Sequence, residues 1–179
     1  MDVYKQNFTL LELEIFSYLC IQAGNKLSQR EIALTLEVSP TAVSNSVKNL
    51  QEKKLIQITK TKTINFISLN RDNQKVVELK RVENLKQIYV SGLANFLEEK
   101  FAGSTVILFG SYSKGEDIIS SDIDIALIER KHKEINFEKY EKMLFRKINI
   151  NFYDSWKDIH KHLKNNILNG IILSGCVDI

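Results

Sequence analysis

The chain has 179 residues, 44% of them apolar, and 25 Lys/Arg against 22 Asp/Glu give a formal net charge of +3. That length fits one domain or two small ones, and that charge does not announce nucleic-acid binding unless it is concentrated locally. Two distant cysteines, Cys20 and Cys176, with no Cys-x-x-Cys pair and no leader-like segment, argue against a disulfide scaffold or thiolate zinc site and predict a cytoplasmic setting; no apolar run approaches the roughly 20 residues of a bilayer span.

Thr9 predicts the cap of a first helix, with Leu10, Leu13, Phe16, Tyr18 and Leu19 as its apolar positions and Gly24-Asn25 as its end. Ser28-Gln-Arg-Glu31 has the form of a capping box and opens a second helix whose inner face is Ile32, Ala33 and Leu36. After a short turn, Ser39-Pro40 gives a third start signal, an N-cap followed by proline at the first helical position. Val43, Val47 and Leu50 recur at helical spacing, which turns Thr41, Ser44, Asn45 and Lys48 outward. Two short helices joined by a tight turn, the second small and polar outside, have the form of a helix-turn-helix whose second helix enters a DNA major groove.

Beyond Leu55 the period changes. Ile56–Lys60 and Thr63–Leu69 predict two strands around a turn carrying Lys60 and Lys62, a hairpin wing. Lys48, Lys53, Lys54, Lys60 and Lys62 face only Glu52 over this stretch, so a basic strip exists on a nearly neutral chain. Residues 1–72 hold nine Lys/Arg and seven Asp/Glu, whereas 103–179 hold eleven of each, so any electrostatic pull on DNA belongs to the N-terminal half. Residues 8–70 resemble the winged helix-turn-helix domains of MarR-like regulators; the resemblance implies binding of double-stranded DNA, usually as a homodimer.

Residues 73–101 contain no breaker except Gly92, and Leu79, Val82, Leu85, Tyr89, Leu93, Phe96 and Leu97 recur at three- and four-residue steps. One long connecting helix is expected over 73–102, continuous or bent near Gly92. Val76, Val77, Ile88 and Val90 lie off the main stripe, which fits either a second packed face or a partner subunit.

The densest chemistry follows. Ser104–Phe109 predicts a buried strand, Gly110 permits a sharp turn and close approach of a ligand, and Ser111 opens a short helix with free N–H groups. Lys114 offers a point charge nearby. In the strand Ser121-Asp-Ile-Asp-Ile-Ala-Leu-Ile128, side chains two apart face the same side, so Asp122 and Asp124 are expected to project together. Such a pair raises one carboxyl pKa unless a cation neutralises it, and Mg²⁺ prefers one or two carboxylates completed by substrate phosphates.

Gly110-Ser111, ten residues, then Asp122-Ile-Asp124 resembles the Gly-Ser…Asp-x-Asp signature of the DNA polymerase beta-like nucleotidyltransferase superfamily, and most of all its minimal prokaryotic members. The resemblance covers 104–175, including "NNILNGIILSG", similar to the family's closing helix and turn. It implies that Gly110 and Ser111 hold a nucleoside triphosphate, ATP by preference. Asp122 and Asp124 would ligate Mg²⁺ and carry catalysis, and a nucleotidyl group would pass to a hydroxyl acceptor. Active members commonly carry a third carboxylate on the next strand. Here that strand reads Lys147-Ile-Asn-Ile-Asn-Phe-Tyr-Asp154, with Asn149 and Asn151 on the expected face and Asp154 offset at the end. Asparagine is no general base.

The remaining polar residues are assigned to structure. His160 and His162 are expected on different faces of a helix over 155–165, His132 in a charged loop, and Trp156 against the sheet. The expected fold class is α+β, with a winged helix-turn-helix domain over 1–72 and a nucleotidyltransferase domain with a short mixed sheet over 103–179. The leading function is a DNA-binding protein that transfers a nucleotidyl group. Its alternatives are a non-catalytic regulator that senses nucleotide or mediates contacts, and an antitoxin-like protein adenylyltransferase.

Overall fold

The structure is a computed structural model and describes residues 8–178. It is α+β, and the chain divides into two compact units between Val76 and Val77. Among the described residues no helix is long and apolar enough to cross a membrane.

The first unit contains α1 (Leu10–Ile21), β1 (Leu27–Ser28), α2 (Gln29–Thr35), α3 (Pro40–Glu52), β2 (Ile56–Lys60) and β3 (Asn65–Leu69). All three helices begin on side-chain caps. The Ser28 hydroxyl accepts from the Glu31 N–H at 3.2 Å while the Glu31 carboxylate accepts from the Ser28 N–H at 2.6 Å. Thr9 and Glu12 form a second such box, and Ser39 caps α3 ahead of Pro40. Each cap satisfies backbone donors that the first helical turn leaves over.

The inner face of α1 differs from the expected one. Ile15, Phe16, Leu19 and Cys20 are buried together with Glu12, whereas Leu10 is 74% exposed and Leu13 also faces out. Glu12 is the cause. Its carboxylate accepts from Asn49 Nδ2 at 2.8 Å and Lys53 Nζ at 2.9 Å, which draws that face of the helix toward α3. Burial pushes the Glu12 carboxyl up, yet the bonds from Asn49, Lys53 and the Thr9 N–H bring it below the usual carboxylate range. Lys53 is therefore an internal tie, not a member of a free basic strip.

The sheet of this unit has the order β1-β3-β2, all antiparallel. Its short first strand, Leu27–Ser28 against Phe66–Ile67, had no signal in the sequence pattern. The hairpin turn is closed by Thr61, whose N–H and hydroxyl both donate to the Ile64 carbonyl at 3.0 and 2.7 Å. β3 consequently starts at Asn65 instead of Thr63.

The chain enters the second unit along α4 (Gln74–Val90) and continues through α5 (Leu93–Lys100), β4 (Thr105–Phe109), α6 (Gly110–Lys114), β5 (Ile123–Ile128), α7 (Glu138–Leu144), β6 (Ile148–Tyr153), a 3₁₀ turn (Trp156–Asp158), α8 (Lys161–Leu168) and β7 (Ile171–Ser174). The connecting segment is bent at Gly92, one of the two forms expected of it: Gly92 adopts φ +77° and divides it into α4 and α5. The buried face of α4 also differs from the predicted stripe. It is Val76, Lys80, Asn84 and Ile88, at strict four-residue steps, while Val82 and Tyr89 are exposed. A stripe with two polar members cannot be found by apolar periodicity. Lys80, Asn84 and Arg146 all donate to the buried Asp117, Asn84 Nδ2 at 2.7 Å and Arg146 Nη2 at 3.2 Å.

The second sheet has the order β6-β5-β4-β7. β5 runs parallel to β6 and antiparallel to β4, and β4 is antiparallel to β7, so the sheet is mixed. One face, with Val106, Leu108, Ile123, Ile125 and Leu127, packs under Ile88, Leu93, Leu97 and Leu144. The other, with Ile107, Phe109, Ala126 and Ile128, packs on Trp156, Ile159 and Ile167. Helices on both faces explain why β4 is buried throughout and apolar from Val106 to Phe109. The predicted helix over 155–165 is replaced by the Ser155-capped 3₁₀ turn and α8. His160 therefore precedes α8, and its ring stacks on His162 with centroids 5.8 Å apart, contrary to the different faces expected of them.

Candidate active site and nucleic-acid interface

Phe109 is the last residue of β4, and Asp124 lies directly opposite it on β5. The chain then turns at Gly110 with φ +76° into the five-residue α6. A Cβ placed on Gly110 would lie 2.6 Å from Asp124 Oδ2. The glycine is thus needed twice, for a backbone angle that L side chains rarely adopt and for the carboxylate beside it. Ser111 follows, half-buried, while the Ser113 hydroxyl donates to the Gly110 carbonyl at 2.9 Å and fixes the turn.

Asp124 shares the sheet face of Ala126 and Ile128 but stands near the start of β5, where it is only half-buried. Asp122 precedes the strand, which begins at Ile123, and is exposed. Asp124 responds to its burial and to its neighbours. Burial pushes the Asp124 carboxyl above its ordinary value, a hydrogen bond from Asn149 lowers it partway, and the charge of Asp122 adds to the rise. This is the arrangement a divalent cation would relieve.

β6 settles what stands opposite. Asp124 pairs in register with Asn149, and Asn149 Nδ2 donates to Asp124 Oδ1 at 3.1 Å. Asn151 pairs with Ala126, further along the strand. Asp154 lies five residues beyond Asn149 on the chain, which at the rise of a strand is about 16 Å. It is exposed and follows the end of β6, so it does not replace an acid at the Asn149 position. Among the described residues no three His, Cys, Asp or Glu side chains are grouped as metal ligands.

Lys114 is exposed at the end of α6, and its Nζ donates to Asn166 Oδ1 of α8 at 3.3 Å. Asn166 carried no motif that sequence reasoning could use. A cleft of about 470 Å³ has Asp122 in its lining, together with Ser121, Glu141, Lys142, Phe145 and Lys147. Phe145 ends α7 with φ +54° and is largely exposed, an unusual position for an aromatic residue. The sequence held no sign of this cleft, because its walls come from three separate segments.

In the first unit, Thr41, Ser44, Asn45 and Lys48 are all exposed on α3, and Lys60 and Lys62 are exposed at the hairpin. Val43, Val47 and Leu50 on the opposite side of α3 are fully buried. The thirteen residues of α3 make a rod about 20 Å long.

Residues 6–63 match the profile described as MarR family, and residues 90–173 match the profile described as Nucleotidyltransferase domain. No curated protein matches the chain. Similar solved structures include a ZitR mutant of Lactococcus lactis, at 25% identity over 57% of this chain and 66% of that one, with TM-score 0.40. The MepR–DNA complex of Staphylococcus aureus is 24% identical over 52% of this chain and 78% of that one, with TM-score 0.39. RV1404 of Mycobacterium tuberculosis is 20% identical over 55% of this chain and 78% of that one, with TM-score 0.37. The chain thus spans slightly under two thirds of the ZitR chain. On the two matched profiles, the chain joins a MarR family domain to a nucleotidyltransferase domain.

Proposed function

We propose that the chain is a cytoplasmic, dimeric regulator that binds double-stranded DNA through α3 and the hairpin. Its second unit binds a nucleoside triphosphate, ATP by preference, and passes the nucleotidyl group to a hydroxyl acceptor, the bond from the α-phosphorus to the β-phosphate oxygen breaking to release pyrophosphate. The observation that carries the nucleotide reading is the shared cradle of Gly110 and Asp124: the turn can meet a phosphate only because no Cβ stands between it and the carboxylate. Two neighbouring carboxylates, one raised in pKa by burial and by the other's charge, fit one divalent ion. Bound there with the triphosphate, magnesium would neutralise the α-phosphate for in-line attack.

The chain's own residues have defined parts. The N–H groups of the Gly110–Ser111 turn receive phosphate oxygens, and Lys114 exchanges its long bond to Asn166 for a phosphate. Asp122 and Asp124 would hold the ion. The cleft beside Asp122 gives the acceptor room to approach. Its hydroxyl proton passes to water, since Asn149 is no base. On DNA, Thr41, Ser44, Asn45 and Lys48 reach into the groove while Lys60 and Lys62 meet phosphates.

A second reading is favoured by Asn149 itself. With an amide opposite Asp124, the unit holds nucleotide without transferring it, and occupancy biases DNA binding. Incubation of the full chain with α-labelled ATP, Mg²⁺ and a cell extract decides between them. Transfer labels an acceptor, and Asp122→Asn with Asp124→Asn abolishes the label. ATP binding with no label leaves the sensor, and absence of both ends the nucleotide reading.

A further inference from the structure

We infer that Asn149 makes this a one-ion site that fills only together with its nucleotide. The inference rests on the nucleotide-binding reading above. It starts from how the oxygens of Asp124 are used. Oδ2 is turned toward Gly110, whereas Oδ1 receives the Asn149 amide N–H at 3.1 Å. The register of β5 and β6 enforces this, because Asp124 and Asn149 are direct partners in a parallel ladder.

An N–H group that donates to Asp124 Oδ1 presents partial positive charge to an oxygen that a second cation would need. A carboxylate at 149 would present the opposite. The next acid along the chain, Asp154, lies beyond the end of β6 and is too far along to substitute, and no third acidic or imidazole ligand is grouped there among the described residues. Among the described residues the protein therefore offers one ion two carboxylates and no third acidic, imidazole or thiol ligand. Mg²⁺ gives up its water reluctantly and is held weakly by so few ligands, so triphosphate oxygens must complete its shell. Metal and nucleotide then strengthen each other's binding by one common factor, as linkage requires.

Asn149 is accordingly a positioning residue that sets ion number and binding order. Equilibrium dialysis of the full chain with Mn²⁺, with and without α,β-methylene-ATP, reads both. The wild type should bind Mn²⁺ alone weakly and hold one ion per bound analogue. Asn149→Asp should bind Mn²⁺ alone at least tenfold more tightly and hold two ions with the analogue. Asn149→Ala adds no charge and should keep the one-ion behaviour; because Asn149 is exposed, both variants should keep the fold, which Trp156 fluorescence checks. If the wild type binds the Mn²⁺–analogue complex but Asn149→Asp gains neither affinity nor a second ion, the inference fails and the nucleotide reading stands. A second ion in the wild type or in Asn149→Ala overturns it as well. If no protein binds Mn²⁺ or the analogue, both fall together.

Discussion

Replacing Gly110 by alanine tests the cradle most directly. The new Cβ meets Asp124 Oδ2 at 2.6 Å and its Cβ at 3.4 Å, and the residue must hold φ +76°. The left-handed backbone costs an L residue about 1–2 kcal/mol. Moving Asp124 aside adds an off-rotamer side chain and the loss of its bond from Asn149, bringing the total to roughly 2–4 kcal/mol. Trp156 is the only tryptophan of the chain and is buried in the second unit, so its fluorescence follows that unit alone. At ordinary urea sensitivities the midpoint should fall by about 1–2 M. The protein should stay folded in the absence of urea, and its affinity for Mg²⁺–ATP measured by calorimetry should drop at least tenfold. Gly115→Ala is the contrasting control. Its Cβ would meet the Val77 carbonyl oxygen at 2.3 Å and the Arg81 nitrogen at 2.7 Å, which are backbone atoms that cannot rotate away. That variant should lose the fold of the unit, not merely its ligand. Wild-type affinity for Mg²⁺–ATP in folded Gly110→Ala would refute the reasoning.

Three further outcomes are expected. Asp117→Ala removes the shared acceptor of Lys80, Asn84 and Arg146, leaving buried cations, and should destabilise the second unit by about 3–5 kcal/mol; a loss under about 1 kcal/mol in urea would deny the cluster its structural weight. Lys60→Ala with Lys62→Ala should flatten the dependence of log K for duplex DNA on log salt by roughly 2, one unit per phosphate contact, and an unchanged slope removes the hairpin from the interface. For pH the sign follows from a folded-state pKa raised above the unfolded one. As pH rises past the ordinary carboxylate value, the unfolded chain ionises Asp124 first, so the ligand-free fold loses stability until its own raised value is passed. Asp124→Asn lacks that loss, so wild-type stability relative to the variant should fall across this acid window, and a rising difference contradicts the assigned cause.

Where local chemistry dominates, the sequence was legible. The Ser28–Glu31 box and the Ser39-Pro40 start follow from backbone donors that must be satisfied, and both lie where they were expected. The β4–Gly110–α6 unit followed from turn chemistry in the same way, whereas alternation put Asn149 and Asn151 on one face and only the strand register singles out Asn149. What escaped was long-range polar pairing. Glu12 turned α1 by reaching Asn49 and Lys53 on another helix, and Asp117 drew Lys80 and Asn84 inward on α4. Apolar periodicity reads such residues as surface, so it assigned Leu10, Leu13, Val82 and Tyr89 to the interior. Asp122 was placed inside a strand that starts one residue later, since spacing alone does not reveal where a ladder begins.

The Lys80–Asp117–Arg146 knot has a practical corollary for anyone handling the protein. Dissolved ions screen charges that face water and reach a sealed interior poorly. Strong brine should therefore strip nucleic acid from the outward lysines during purification while the inner ion pairs keep the second unit intact.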